Sequence, residues 1–510
     1  MRLLTREQAQ ALDRISMKKL DISGNALMGS AGKRIAELAT RMMSHVHDPS
    51  IFILCGKGNN GGDGFAAGAE LYSKNFNVAI HSIPDWNAIK GDALPFFNTC
   101  EELGILITFG EDNPSMDYPD LIIDGLLGTG YKGAIRPHIL PWIDWINETN
   151  SKILSIDIPS GLDANSAQVN PEAVSSDATL TFGAHKVGMI FRNGKEHCGQ
   201  VEIGKIGFPE LAEINLPGVK WNLFEESTVK SILKKPELDI HKHSAGKVLV
   251  IAGSRGMTGA AILATYGALR SGTGLTLTSA PSSLNEIYER EITEGMTLVL
   301  DDDEKGSFSL SHADLIMEKV DWADSVVLGP GLGRKKETKE LIRELVFSID
   351  KPLVLDADGL FPFSKNIRVL NERNSPLVIT PHFGELSQLT DMDADRIRDD
   401  FPNIMTDLMK EFRHIALVKQ VPACIFFNDD VQVNTTGNPG LATGGTGDVL
   451  SGIIASFIAQ GYDHFEAVCL AAFIHGKASD MLIKEKGFRG QIASDLISTL
   501  PAAISEYEKS

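Results

Sequence analysis

From Ile51 to about Gly207 the chain alternates short apolar runs with segments of helix length: IFILC, NVAIHSI, ILITFG, PDLIIDGLLG, KILSIDIPSG, ATLTFGAHK and QVEIGKIGFP. This rhythm constrains the fold more than any other feature of the sequence. Apolar runs this short suit strands, and strands separated by helices are joined by crossovers, so the sheet is expected to be largely parallel. A sheet of that kind gathers its ligands at the carboxyl ends of its strands. Between roughly Pro209 and Pro236 the rhythm breaks into mixed proline and charge, which reads as a domain junction. It restarts with GKVLVIAGS, GLTLTSA, GMTLVL, DSVVLGPGLG, KPLVLDADGL, PLVITPHFGE and HIALVKQVPACIFFNDD, then closes on a glycine-rich passage into DVLSGIIASFIAQG. The expectation is an α/β protein of two domains, residues 1–220 and 237–510.

At 510 residues, 43% of them apolar and 23% charged, the chain has the composition of globular domains rather than of disordered or membrane proteins. A formal net charge of −19 argues against nucleic acid or anionic lipid as partners, since both need a basic surface. Cys55, Cys100, Cys198, Cys424 and Cys469 lack CxxC spacing, which predicts neither a zinc site nor a disulfide framework and suits a reducing compartment. The opening MRLLTREQAQALDRIS carries charge where a secretory signal needs an apolar core, and no run of about 18 apolar residues occurs. A cytoplasmic location is expected. Thr5 and Gln8 have capping-box spacing ahead of an amphipathic helix.

The first glycine-rich motif is GKGNNGGDG, after the run Ile51 to Cys55. Gly56, Gly58 and Gly61 satisfy GxGxxG, but the next strand ends AIHSI, without the acidic residue that holds a nicotinamide ribose. A Walker loop fails too, because Gly62 is followed by Asp63 instead of Lys and a hydroxyl residue. What remains is a turn whose glycines expose N–H groups while Asn59, Asn60 and Asp63 add polar side chains, suited to phosphate and to a cation. A plain strand-to-helix turn is the simpler reading. Against it, IIDGLLGTGYKGA places Asp124 and a second glycine loop at a strand end, and SIDIPSGLDA adds Asp157 and Ser160. If these ends converge, they form a cleft with two carboxylates and a hydroxyl.

Together GKGNNGGDG, DGLLGTG and DIPSGLDA resemble the YjeF amino-terminal domain, the NAD(P)HX epimerase, over nearly all of residues 1–210. The resemblance implies a Rossmann-like three-layer sandwich that acts on the hydrated ring of damaged NADH or NADPH with bound potassium. By position it implies Asn60, Asp124 and Ser160 as potassium ligands, a sensible oxygen set for a hard cation. It implies Asn59, Asn60, Gly61, Gly62 and Asp63 as one substrate loop. The other is Gly128, Thr129, Gly130, Tyr131 and Lys132, continuing to Gly133 and Ala134. Asp157 corresponds to the acid/base carboxylate that contacts substrate, and Lys186 in FGAHK is its candidate partner.

The second dense motif is NTTGNPGLATGGTGDVLSG. Its glycines allow close backbone approach, and Asp448 opens an apolar helix whose first N–H groups form an anion hole. At that helix start the carboxylate is expected to be held as an anion, ready to take a proton from a hydroxyl. Its ordinary role would be a helix N-cap. GPGLG, DADGL, TPHFGE and KQVPA are polar or glycine-rich strand ends in the same domain, which favours a cleft.

These segments resemble the ribokinase-like superfamily, and specifically the ADP/ATP-dependent NAD(P)HX dehydratase, over about 237–510. The resemblance implies Gly331, His382 and Asp448 at the substrate. It implies an adenine-nucleotide site from Lys419, Gln420, Val421, Pro422 and Ala423. The phosphate cradle would be Asn438, Pro439, Gly440, Leu441 and Ala442, continuing through Thr443, Gly444, Gly445, Thr446 and Gly447. Magnesium is expected with ADP or ATP, and self-association is implied for both domain families. Hydroxide is a poor leaving group, so phosphorylating the ring hydroxyl through Asp448 and eliminating phosphate would restore the dihydropyridine. A small-molecule kinase carrying an amino-terminal nucleotide-sensing domain is the competing expectation.

Overall fold

In the computed structural model, which describes residues 1–19, 21–111, 118–211 and 214–508, each of the seven apolar runs before Gly207 contributes a strand. In chain order these are Ser50–Cys55, Asn77–Ser82, Leu106–Phe109, Leu121–Gly125, Lys152–Ile156, Ala178–Phe182 and Gln200–Gly204. All pair in parallel, and across the sheet they stand third, second, first, fourth, fifth, sixth, seventh. That is the doubly wound order, extended by one strand, with its reversal between Ser50–Cys55 and Leu121–Gly125.

The first strand shows why the sheet has helices on both faces. Ile51, Ile53 and Cys55 enter a core with Leu27, Ile35 and Phe65 on one side. Phe52 and Leu54 enter a second core with Trp142, Ile143 and Ile146 on the other. Alternate residues of a strand point to opposite faces, so an unbroken apolar run needs two covered faces. The expected three-layer arrangement follows. The helix Arg6–Lys19 begins with the capping box: Thr5 N donates to Gln8 Oε1 at 3.1 Å, and Gln8 N to Thr5 Oγ1 at 3.2 Å.

This unit comprises Arg2–Gly218 with Asp399–Asn403; the other comprises Met1, Val219–Arg398 and the chain from Ile404 onward. Within the second unit, parallel strands run Met296–Leu300, Leu275–Pro281, Lys247–Ile251, Ser325–Leu328, Leu353–Leu355, Leu377–Ile379 and Ile415–Val418. Two antiparallel strands follow, Cys424–Phe427 and then Asp430–Asn434. The segment read as an irregular junction carries the strand Lys220–Phe224, parallel to Asp430–Asn434, and the helix Glu226–Ile232. Trp221 and Phe224 are buried there, but two apolar residues three apart among prolines and charges do not stand out as a strand in sequence.

Helix Thr446–Ala459 packs into the main core of this unit and is buried on nearly every side, beside Thr258–Arg270 and His464–Lys486. Among the described residues all five cysteines are buried free thiols, and no helix is long and apolar enough to cross a membrane.

Candidate active sites

In the first unit a cavity of about 810 Å³ opens at the carboxyl edge of the sheet. GKGNNGGDG is less a loop than the opening of a helix: Gly58 is the N-cap and Asn59–Ser73 is helical. Asn59, Asn60 and Asp63 line the cavity, as do Gly128, Thr129, Gly130, Tyr131, Lys132 and Ala134 of the second loop. Gly61, Gly62 and Gly133 are not among the lining residues. The two motifs interlock at one point, because a Cβ on Gly128 would stand 2.3 Å from Asn60 Oδ1. Burial pushes the Asp63 carboxyl well up, with Asp157 and Asp13 adding to the rise.

Asp157 leaves the strand Lys152–Ile156 with a positive φ of 64°, a conformation uncommon for a non-glycine residue. Lys186 Nζ, 1% exposed, lies 2.6 Å from Asp157 Oδ1. Thr129 Oγ1 donates to Oδ2, and Thr181 Oγ1 donates to Oδ1 at 3.2 Å. Burial alone would raise this carboxyl, but the Lys186 ammonium and these hydrogen bonds outweigh it and hold Asp157 below its ordinary range. The site thus keeps an ionised carboxylate beside a buried ammonium.

Beneath the cavity Asp124 is fully buried and accepts from Ser160 N at 2.9 Å, Ser160 Oγ at 2.6 Å and Ser155 Oγ at 2.8 Å. Among the described residues it has no basic side-chain partner, and burial outweighs these bonds to raise its pKa. Asn60 Nδ2 holds the carbonyls of Leu127 and Ile156 at 3.1 and 2.7 Å, and Ser160 Oγ accepts from Leu127 N at 2.8 Å. A buried carboxyl without a basic partner, among carbonyl, amide and hydroxyl oxygens, is a donor set that fits a hard monovalent ion.

The second site follows the ends of Leu353–Leu355, Leu377–Ile379 and Ile415–Val418. Lys419 Nζ lies 2.7 Å from Asp356 Oδ1 and 3.6 Å from Glu385 Oε2. Ser451 Oγ donates to Asp356 Oδ2 at 2.6 Å. Burial opposes both charges, yet each holds the other: Asp356 is lowered and Lys419 raised. Asp448, in the first turn of the apolar helix, is half-buried, and Gly445, with φ of 91°, takes the N-cap position. Burial first, then the Asp356 carboxylate, push Asp448 up to about 7 against the pull of Lys419. The helix start therefore does not keep Asp448 a firm anion, as its sequence suggested; desolvation and neighbouring carboxylates prevail.

Other residues expected here also carry structural duties. His382 caps the helix Phe383–Thr390, its Nδ1 accepting from Gly384 N and Glu385 N at 3.0 and 3.2 Å. Two amides on Nδ1 leave the proton of the neutral ring on Nε2, which lies 3.5 Å from Glu385 Oε1. Asn438 is buried, donating to Ser479 and Asp480 and accepting from Gly440 N at 2.9 Å. It pins the turn Pro439–Leu441, from which Ala442, Thr443 and Gly444 extend as exposed backbone. Gly331 accepts from Ser254 Oγ at 2.8 Å. Gln420, Val421, Pro422 and Ala423 form the turn between Ile415–Val418 and Cys424–Phe427.

A family model described as YjeF-related protein N-terminus matches residues 24–188, and one described as NAD(P)H-hydrate dehydratase matches 248–502. A bifunctional NAD(P)H-hydrate repair enzyme of Moorella thermoacetica is 33% identical over 518 residues, covering 100% of this chain and 98% of its own. The chain belongs to the bifunctional NAD(P)H-hydrate repair enzyme family. A second member, from Dictyoglomus turgidum, is also 33% identical, over 99% of each chain. Among solved structures, an ADP/ATP-dependent NAD(P)H-hydrate dehydratase from Bacillus subtilis, co-crystallised with ATP and Mg²⁺, is 26% identical. It covers 56% of this chain and 98% of its own, with a TM-score of 0.49.

In this member of the NAD(P)H-hydrate repair family, the sequence reading missed several charged groups that the fold brings to the candidate sites. Asp13 lines the first cavity; Asp356 and Glu385 bracket Lys419. DADGL and TPHFGE marked the strand ends of the last two, but nothing around Asp13 marks a site.

Proposed function

We propose that this chain repairs hydrated nicotinamide cofactors in two steps. The amino-terminal unit, read in sequence as residues 1–220, interconverts the R and S forms of NADHX and NADPHX. The carboxy-terminal unit, read as 237–510, dehydrates the S form at the expense of ADP or ATP. The observation that carries this reading is the likeness to bifunctional repair enzymes over the whole chain. A kinase with a sensing domain would account for one half only.

In the epimerase site, Asn59 to Asp63 and Gly128 to Ala134 hold the substrate, and Asp157 serves the reacting hydroxyl, kept ionised by Lys186. Asn60, Asp124 and Ser160 are the residues that would hold potassium. Bound there, the ion supplies positive charge that neutralises Asp124 and stiffens the two loops. In the dehydratase site, Lys419 to Ala423 and Asn438 to Gly447 take the nucleotide, with magnesium on its phosphates, while Gly331 and His382 face the hydrated ring. Asp448, with its proton affinity near neutrality, removes the proton from the ring hydroxyl as it accepts phosphate. Elimination of that phosphate leaves the dihydropyridine.

The test is incubation with a mixture of R and S NADHX, following dihydronicotinamide absorbance. With ADP or ATP both epimers are consumed; without nucleotide, chromatography shows R/S exchange alone. Stable phosphorylated NADHX as the final product would support the kinase reading instead.

A further inference from the structure

We propose that Asp13, on the amino-terminal helix, is a second acid/base catalyst of the epimerase site, working on the ring face opposite Asp157. The inference rests on the epimerase reading above and names a residue that reading does not contain. Ala9, Gln10 and Met17, each three or four positions from Asp13, join it to place one face of the helix Arg6–Lys19 in the cavity wall. That helix is fixed against the substrate loop by buried Arg6, whose Nε donates to the Thr129 carbonyl at 3.1 Å and whose Nη2 meets Asp163 at 2.5 Å. Asp13 is therefore held at the cavity by a rigid element.

Among the described residues Asp13 makes no hydrogen bond or ion pair, yet it lines the same cavity as Asp157 and Lys186. The charged groups that act on it are Asp157, Lys186 and Asp63, which line the same cavity, and Arg14 on its own helix. Burial and the Asp157 carboxylate raise it to about 6. An unpartnered carboxyl beside another carboxylate costs stability, and a purely packing face would carry an apolar residue there. Near neutrality such a group both gives and takes protons.

The chemistry needs two such groups. The substrate hydroxyl sits on the carbon next to the ring nitrogen. Asp13, protonated, gives its proton to that oxygen; the C–O bond breaks, water leaves, and the nitrogen lone pair forms the C=N bond of an iminium ion. A second water adds to the opposite face, its electrons closing the new C–O bond, the C=N pair returning to nitrogen and its proton passing to Asp157. One water leaves and one enters. The reverse direction exchanges the two carboxyls' roles.

The experiment uses the full chain without nucleotide, measuring R/S exchange of NADHX against pH and its dissociation constant by calorimetry. For Asp13→Asn we expect kcat for exchange to fall by about 10²–10⁴-fold, with affinity changed less than about threefold. The limb of the pH profile near 6 should disappear. Asp13→Glu, which keeps the carboxyl one methylene further out, should restore part of the rate and that limb. In H₂¹⁸O the wild type should take up one labelled oxygen per inversion. Exchange by Asp13→Asn at the wild-type rate would overturn the proposal. So would a loss confined to affinity, inversion without label, or an Asp13→Glu protein that binds NADHX but exchanges no faster than Asp13→Asn. If the wild type itself shows no exchange, the epimerase reading fails rather than the role of Asp13.

Discussion

Replacing Asp448 by Asn separates catalysis from stability in opposite directions. The carboxyl is ordinary at 3.8 when the chain is unfolded and about 7 when folded, so the folded state holds its proton more tightly. Between those values stability falls as pH rises, because the folded protein binds more protons than the unfolded one. Carrying the full difference through gives about 4 kcal/mol lost by pH 8. The side chain is half-buried, so solvent screening reduces this to about 1–3 kcal/mol. Asp448→Asn removes the titration while keeping the shape. The variant should match the wild type in stability below pH 4 and exceed it increasingly up to pH 7, where the gain levels off. At about 2–4 °C per kcal/mol, the melting transition of its unit should rise by roughly 2–12 °C at pH 8. That transition is identified in calorimetry as the one that ADP raises. Dehydration should fall by about 10²–10⁴-fold while R/S exchange is unaffected, and wild-type kcat/KM should climb with pH through about 7. Retained dehydration would refute the role of base. Equal stability of the two proteins from pH 4 to 8 would refute the electrostatic reasoning.

Two other perturbations test the first unit. Lys186→Met leaves Asp157 buried without its ammonium, which should cost about 3–5 kcal/mol in urea unfolding and abolish exchange; a change under about 1 kcal/mol would mean the pair is not desolvated. Exchanging KCl for tetramethylammonium chloride at equal ionic strength should lower the melting temperature of this unit in the wild type but not in Asp124→Asn. Equal sensitivity of both proteins would remove Asp124 from the cation site.

Legibility in the sequence followed the length and regularity of each signal. The inner strands Ser50–Cys55 and Leu121–Gly125 are nearly unbroken apolar runs, which two covered faces require, and the shorter runs around them recur at helix-length intervals, so the sheet could be read directly. Lys220–Phe224 could not, since KWNLF buries only Trp221 and Phe224, with no strand periodicity, and pairs with a strand some 200 positions away. HIALVKQVPACIFFNDD read as one run, although it holds two antiparallel strands around a turn at Gln420–Ala423. Cavity-lining residues in the first unit's glycine-rich motifs were visible, because such motifs are improbable without a backbone reason. Asp13 was invisible, because a lone aspartate on an amphipathic helix is ordinary until the fold shows that its face meets a cavity rather than water.

The two sites share one device and use it differently. Each unit ends a strand in an aspartate paired with a buried lysine from a later strand end, Asp157 with Lys186 at 2.6 Å and Asp356 with Lys419 at 2.7 Å. In the first unit the paired carboxylate itself lines the cavity, so the lysine fixes the charge of a group open to it. In the second unit the lysine is taken by Asp356, and Asp448 stands beside the pair, raised toward neutrality by burial and by the spare negative charge. The difference matches the chemistry asked of each. Exchange of water at a ring carbon needs a carboxylate that rests ionised on one face, ready to take the proton of the incoming water. Phosphorylation of an alcohol needs a base whose proton affinity lies close to the working pH, and that places Asp448 outside the ion pair rather than in it.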